Sequence, residues 1–176
     1  MTKIFGQDVT RQELLTRVGS LDQVGGITEF AYESGRGRGV RAICVETGLL
    51  TVDIVVDRAL DIPHAAYRAT PFVWRTANDI AAPAFYEAAG NEWLRSFFGG
   101  WLTTCGLSNF GPPGSDQWGS FGQHGRINNL PAENFVAETR WEGDRCLFEI
   151  SGTMRETKAL GGKLVMHRRW STELGS

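Results

Sequence analysis

The chain has 176 residues, enough for a single domain, 1–176, with its own hydrophobic core. Its net charge of −2, with 18 basic residues scattered along the chain, argues against nucleic acid or a membrane surface as a partner. No apolar stretch reaches the length of a membrane span, and the three cysteines are an odd number without CxxC spacing, so we expect a cytoplasmic protein without a disulfide framework.

The first predicted element is a short helix in "TRQELLTRVG". Thr10 and Glu13 have the spacing of a capping box, and Gly19 can end the helix. Because Leu14 and Val18 are one helical turn apart, they would share a face. We expect residues 1–25 to form a helical appendage that rests on the main body.

From Gly26 onward the hydrophobic pattern has a period of two. The segments "ITEFAYES" and "GVRAICVET" flank a glycine-rich turn, which is typical of a hairpin. In "GLLTVDIVVDR" the apolar residues alternate with mainly polar ones, which predicts a strand with one buried face, formed by Leu50, Val52, Ile54 and Val56. Two further short strands are predicted in "ALDIPHAAY" and "PFVWRT", with Pro63 at an edge or a bulge.

The second half of the chain mixes one helical pattern with more strands. "APAFYEAAGNEWLRSFFGG" predicts a second helix, divided by Gly90, and "WLTTCGLSN" has strand character. "FGPPGSDQWGSFGQHG" is predicted to be a loop, and three strands follow in "NFVAETRWEG", "DRCLFEISGTMRE" and "KLVMHRRWSTEL". The prediction for the whole is a mostly β protein: an antiparallel β-sandwich, or part of one, with short helices.

One polar cluster stands out, in "GQHGRINNLPAE". His124 can donate and recover a proton near neutral pH, and Arg126 carries a fork of donors suited to hydroxyls or a carboxylate. Asn128 and its neighbour Asn129 can each donate and accept hydrogen bonds, and a sugar needs that mixture. The alternative is that the histidine caps a loop and the asparagines form turns.

A second polar cluster lies in "VVDRALDI", where Arg58 and Asp61 are three residues apart. In an extended strand this spacing puts them on opposite faces, unless a bulge intervenes, so a surface ion pair is the simpler interpretation. The spacing of the three histidines does not indicate a metal site, and Cys105 is more typical of a small buried side chain than of a nucleophile.

Three segments together resemble the aldose 1-epimerase-like proteins of the galactose mutarotase superfamily, in particular the DUF4432 branch. They are "VVDRALDIPHAAYRATPFVW", "FFGGWLTTCGLSNFGPP" and "HGRINNLPAE". The resemblance implies a large antiparallel "supersandwich" with a sugar in a cleft across one sheet. It implies a catalytic role for His124 at the sugar ring oxygen and substrate-binding roles for Arg126 and Arg58, with no metal and no cofactor. From the two polar clusters we expect Asn128 and Asp61 to bind the substrate beside them.

The resemblance covers the N-terminal part of the family domain, so we expect the catalytic base, a glutamate in the C-terminal part of such proteins, to lie outside this chain. We also expect unpaired edge strands near residues 163–174 or an oligomer contact that covers them. The predicted function is anomer interconversion of a small-molecule carbohydrate by acid/base ring opening. The alternatives are a non-catalytic carbohydrate-binding protein on the same fold, or a structural β-domain whose polar clusters are only turns.

Overall fold

The computed structural model describes residues 1–117 and 119–176. In this part of the chain there are one α-helix, α1 (Arg11–Arg17), five single-turn 3-10 helices and twelve strands. The strands are β1 (Thr2–Ile4), β2 (Gln7–Val9), β3 (Gly26–Ala31), β4 (Arg41–Glu46), β5 (Leu50–Val55), β6 (Asp61–Tyr67), β7 (Thr70–Pro71), β8 (Gly114–Asp116), β9 (Gly119–Phe121), β10 (Glu133–Glu142), β11 (Arg145–Thr157) and β12 (Lys163–Glu173).

Two antiparallel sheets form the body of the molecule. One has the order β3-β4-β5-β6-β7, and the other has the order β10-β11-β12. Each strand pairs with its neighbour in sequence, as expected for strands joined by tight turns. Within the described residues β12 lies at the edge of its sheet, where the sequence predicted an edge.

The hydrophobic core lies between the two sheets. Alternate residues of β5 point into it, with Val52, Ile54 and the following Val56 buried and Leu50 partly buried. Phe148 and Ile150 of β11 pack in the same cluster. The period-two prediction for this strand is therefore confirmed. The opposite face also becomes buried at its end, where Val55 packs in a second, smaller apolar cluster.

Pro63 sits in β6 beside an irregularity in the pairing with β5. The register shifts between Asp53 and Val55, so that Val55 lies opposite Asp61. A proline cannot donate a ladder hydrogen bond, and a bulge removes the need for one. The predicted position of Pro63 is confirmed.

The N-terminal region contains the predicted helix but also two strands. α1 begins with the full capping box between Thr10 and Glu13, and Leu14 is buried in the main core. The helix ends at Arg17 and Val18 is its C-cap, so it ends before Gly19. The β1–β2 hairpin precedes it, so the appendage is not helical throughout. No helix in residues 1–117 and 119–176 is long and apolar enough to cross a membrane.

The predicted second helix is wrong. Residues 82–100 contain two single-turn 3-10 helices, Pro83–Phe85 and Glu92–Arg95. Gly90 has a φ of +53°, which a continuous helix cannot contain. The strands predicted before and after this segment are shorter in the structure than expected. In "PFVWRT" the structure has only part of β7 and an isolated bridge at Arg75, and in "WLTTCGLSN" it has a bridge at Leu102.

Candidate functional site

A cavity of about 350 Å³ opens beside the turn at residues 122–126. Its wall combines small residues with a few polar side chains. The side chains with polar groups are Tyr86, Ser108, Ser120 and Arg126, and the glycines are Gly90, Gly122 and Gly125. The predicted loop 110–125 supplies part of this wall and contains the short β8–β9 hairpin; its position 118 lies outside the described residues.

The turn is fixed by a second loop, at residues 106–111. The Gly106 amide donates to the His124 carbonyl (2.8 Å), and the Ile127 amide donates to the Gly106 carbonyl (3.1 Å). A Cβ atom on Gly125 would come within 2.3 Å of that carbonyl oxygen, and its φ is +67°. Only glycine can occupy this position, so the glycine after His124 allows the two loops to touch.

His124 is half-buried and its ring is held on several sides. The Gly111 amide donates to Nδ1 (3.2 Å), and the His124 amide donates to the Gly111 carbonyl (2.9 Å). The ring packs edge-on against Trp93, with centroids 4.7 Å apart, and lies 5.9 Å from Phe110. Because Nδ1 accepts a hydrogen bond, the neutral ring carries its proton on Nε2. The cavity wall itself is formed by the neighbours of His124 rather than by the imidazole.

Arg126 is exposed and lines the cavity, close to a tyrosine and a glutamate. The Tyr86 hydroxyl donates to the Gly125 carbonyl (2.9 Å). Burial raises the pKa of Tyr86, the positive charge of Arg126 opposes this, and the negative charge of Glu156 adds to it. Glu156 accepts hydrogen bonds from the Leu107 amide (3.0 Å) and from the Ser108 hydroxyl. The carboxylate of Glu156 thereby holds the loop that fixes His124.

Asn128 and Arg58 lie in the interior beneath this loop, and both are fully buried. The Asn128 side-chain oxygen accepts from the Trp93 indole (2.9 Å), and its carbonyl accepts from Arg58 Nε (2.6 Å). Arg58 also donates to the carbonyls of Ala81 (2.8 Å) and Ser96 (2.9 Å). Burial lowers the pKa of Arg58 to about 10, although the charge of Asp61 opposes this.

Asp61 is also fully buried, and it joins the two sheets. It accepts from the Thr104 amide (2.8 Å) and hydroxyl (2.5 Å), and from Arg168 Nη1 on β12 (2.7 Å). Burial raises the pKa of Asp61, and the bonds from Thr104 and Arg168 oppose that rise. In this structure neither Asp61 nor Arg58 presents surface to solvent, so their predicted contact with a sugar stays a prediction.

The structure therefore brings His124 and Arg126 to one turn beside the cavity, and places Asn128, Arg58 and Asp61 in the core. Sequence reasoning missed Tyr86, Trp93, Glu156 and Arg168. Arg168 could have been predicted from the sequence, because it lies on the same face of β12 as Met166 and Trp170, which pack against the core. A charged residue on that face needs a partner. Nothing in the local pattern around the other three indicates their contacts.

The geometry of the described residues supports neither a metal site nor a nucleophilic cysteine. In residues 1–117 and 119–176, no three His, Cys, Asp or Glu side chains cluster as metal ligands would. The thiol of Cys105 is half-buried, and burial raises its pKa, which keeps it protonated and weakly nucleophilic near neutral pH.

Comparison with solved structures identifies the class of fold. The chain is similar to a crystal structure described as a "putative aldose 1-epimerase" from Klebsiella pneumoniae subsp. pneumoniae MGH 78578, with a TM-score of 0.75 and 17% sequence identity. The match covers 96% of this chain and 44% of that chain, so this chain spans less than half the length of the protein it resembles. The predicted antiparallel, aldose 1-epimerase-like fold is thereby confirmed.

Residues 37–176 match the family model "Domain of unknown function (DUF4432)", and the chain belongs to that family. The predicted resemblance to this branch is confirmed. None of the curated proteins matches the chain.

Proposed function

We propose that the chain binds a small carbohydrate in the cavity beside His124 and Arg126, and that the fold to which it contributes interconverts the anomers of that sugar. The observation that carries the proposal is the position of His124 next to residues of the cavity wall, with Nδ1 bonded and no partner for Nε2 among the described residues. The volume of about 350 Å³ falls in the range of small-ligand sites.

The chemistry of mutarotation matches the state of the His124 ring. Ring opening requires a proton donor at the ring oxygen and a base at the anomeric hydroxyl. With Nδ1 occupied by the Gly111 amide, Nε2–H is the donor that His124 can direct to a ring oxygen. The exposed Phe110 beside it offers an apolar surface for the C–H face of a sugar.

The second candidate function is carbohydrate binding without turnover. One observation favours this function. Both oxygens of Glu156, the glutamate that holds the loop beside His124, already accept hydrogen bonds from Leu107 and Ser108. A carboxylate held in this way positions a loop and is poorly placed to remove a proton. The base for anomer interconversion would then have to come from outside this chain.

Two measurements test the proposal. Saturation-transfer NMR on a panel of free aldoses measures binding, and exchange NMR measures the rate of anomer interconversion by a protein that contains the whole fold. His124→Asn is the informative variant, because asparagine tolerates the left-handed backbone at this position, where φ is +57°. We expect it to slow anomer interconversion by roughly 10²-fold, the scale for removal of a positioned acid.

The matched control is His64→Asn, since His64 lies on β6 beside Asp53 (3.8 Å) and away from the 122–126 turn. Equal rates for His124→Asn and the unaltered protein would rule out His124 as the acid. Sugar binding without interconversion would favour the binding protein over the enzyme. If no aldose bound at all, the polar cluster would be a structural feature only.

A further inference from the structure

The charge of the cavity wall is positive. Among its described residues Arg126 is the one charged side chain, and the wall contains no Asp or Glu. Within the described part of the chain, no carboxylate lies within ion-pair distance of the Arg126 guanidinium, although arginines elsewhere, such as Arg41 and Arg155, are paired.

Glu156, an acidic group near this region, does not neutralise Arg126 by direct pairing. Glu156 directs one oxygen to the Leu107 amide and the other to the Ser108 hydroxyl. Glu156 lies near the same wall as Arg126, because the Ser108 hydroxyl that donates to it lines the cavity together with Arg126. Arg126 thus lines the cavity, and its guanidinium has no hydrogen-bond partner among residues 1–117 and 119–176.

The hydrogen-bonding character of Arg126 favours an acceptor as ligand. Arginine has five N–H donors and no acceptor, whereas the hydroxyls of the wall can also accept hydrogen bonds. A neutral sugar hydroxyl can bond to these hydroxyls, but it carries no charge to offset that of the guanidinium. A carboxylate or phosphate oxygen only accepts, and Arg126 can bind either in a two-pronged geometry.

We infer that the sugar bound in this cavity carries an anionic group, a carboxylate or a phosphate, which Arg126 binds. This inference rests on the proposed function and adds the class of substrate to it. In this arrangement Arg126 decides which sugars bind, while His124 acts on the ring.

Matched sugars test the inference by isothermal titration calorimetry. The probes are glucose with glucuronate and glucose 6-phosphate, and galactose with galacturonate and galactose 6-phosphate. We expect at least one anionic sugar to bind about 10- to 100-fold more tightly than its neutral partner, the usual scale for a hydrogen bond to a charged group. Comparison of the two uronates with the two sugar 6-phosphates shows which anionic group the site prefers.

Variants assign the preference to one side chain. Arg126→Gln should abolish the difference between anionic and neutral sugars, and Arg126→Lys should retain part of it, because lysine keeps the charge but loses the planar fork. Arg17→Gln on α1 is the control. The Arg11 amide of that helix donates to Asp144 (2.9 Å), which directly precedes β11, whereas Glu156 lies near the other end of that strand. An extended strand from residue 144 to residue 156 spans about 40 Å.

Three results would overturn the inference. If neutral sugars bound as tightly as their anionic partners, the preference for an anionic group would be ruled out, but the proposed sugar site would stand. If anionic sugars bound more tightly but Arg126→Gln kept the difference, another side chain would be responsible. If no sugar of either series bound, the proposed function would fail together with the inference. Circular dichroism of each variant confirms that the fold is retained.

Discussion

Arg58 and Arg126 were both expected to bind a sugar, yet they have opposite surroundings. Arg58 has no exposed surface and donates to three backbone carbonyls. Arg126 is exposed at a cavity and has no hydrogen-bond partner in the described part of the chain. We call the first region the buried polar network, formed by Arg58, Asp61, Asn128 and Arg168. We call the second the cavity turn, residues 122–126.

The difference separates stability from function. Most hydrogen bonds of the buried polar network connect segments that are distant in sequence. An unpaired polar group there is costly, and among the described residues Nδ2 of Asn128 is such a group. The cavity turn is held mainly through backbone bonds to residues 106–111, which leaves the side chain of Arg126 available. Mutations in the first region should therefore affect unfolding, and mutations in the second should affect ligand binding.

The largest expected effect is on Arg58. Arg58→Met keeps most of the side-chain length but leaves the carbonyls of Ala81, Ser96 and Asn128 without their donor. We expect a loss of about 4–5 kcal/mol in the free energy of unfolding, or failure to fold, because each unsatisfied buried acceptor costs about 1–3 kcal/mol. Urea unfolding measures this. Arg126→Met should change it by less than about 0.5 kcal/mol, since exposed positions tolerate substitution. Equal effects at the two arginines would remove the distinction.

The ion pair between the sheets comes second. Asp61→Asn removes a buried negative charge, so the positive charge of Arg168, whose side chain is 14% exposed, loses its ion-pair partner. We expect a loss of about 3 kcal/mol in unfolding free energy, the lower end for a broken buried pair. The double variant Asp61→Asn/Arg168→Met should lose clearly less than the sum of the two single changes, because the partners are coupled. Strict additivity in this cycle would show that the pair does not join the sheets energetically.

The smallest effect is spectroscopic and concerns the His124 ring. With the Gly111 amide donating to Nδ1, ¹⁵N NMR of the neutral side chain should show the Nε2–H tautomer. His167, whose Nδ1 lies 3.0 Å from the Thr153 hydroxyl, provides an internal comparison, because a hydroxyl can either donate or accept. A proton on Nδ1 of His124 would contradict the proposed orientation of this histidine towards a sugar.

The strands and the first helix could be predicted from the sequence because their determinants are local. Alternation along β5 and the capping box at Thr10 and Glu13 are properties of a few adjacent residues. Residues 82–100 have a helical composition, but Pro83 and the left-handed Gly90 divide them into single turns. Tertiary contacts of Trp93 with Asn128 and His124 then fix these turns, and the local sequence does not encode such contacts.

Only part of the candidate site could be predicted from the sequence, for the same reason. The cluster "GQHGRINN" was recognised from its residue types, but the sequence does not show that Asn128 turns inward while Arg126 turns outward. The partners of Arg58 lie 23, 38 and 70 residues away along the chain, so no local pattern identifies it as buried. Burial of a charged side chain is decided by the fold, after its partners have been brought together.

The most direct test is a ¹H–¹⁵N NMR titration of the chain with the tightest-binding sugar of the panel. The cavity turn is the central claim, so the largest amide shifts should appear at Gly122, Gly125 and Arg126, with Ser108 on the opposing loop. The amides of the buried polar network should move little. Shifts centred instead on the apolar cleft between the sheets, where Val52, Trp101 and Trp170 lie, would contradict the account, as would the absence of any shift at saturating sugar.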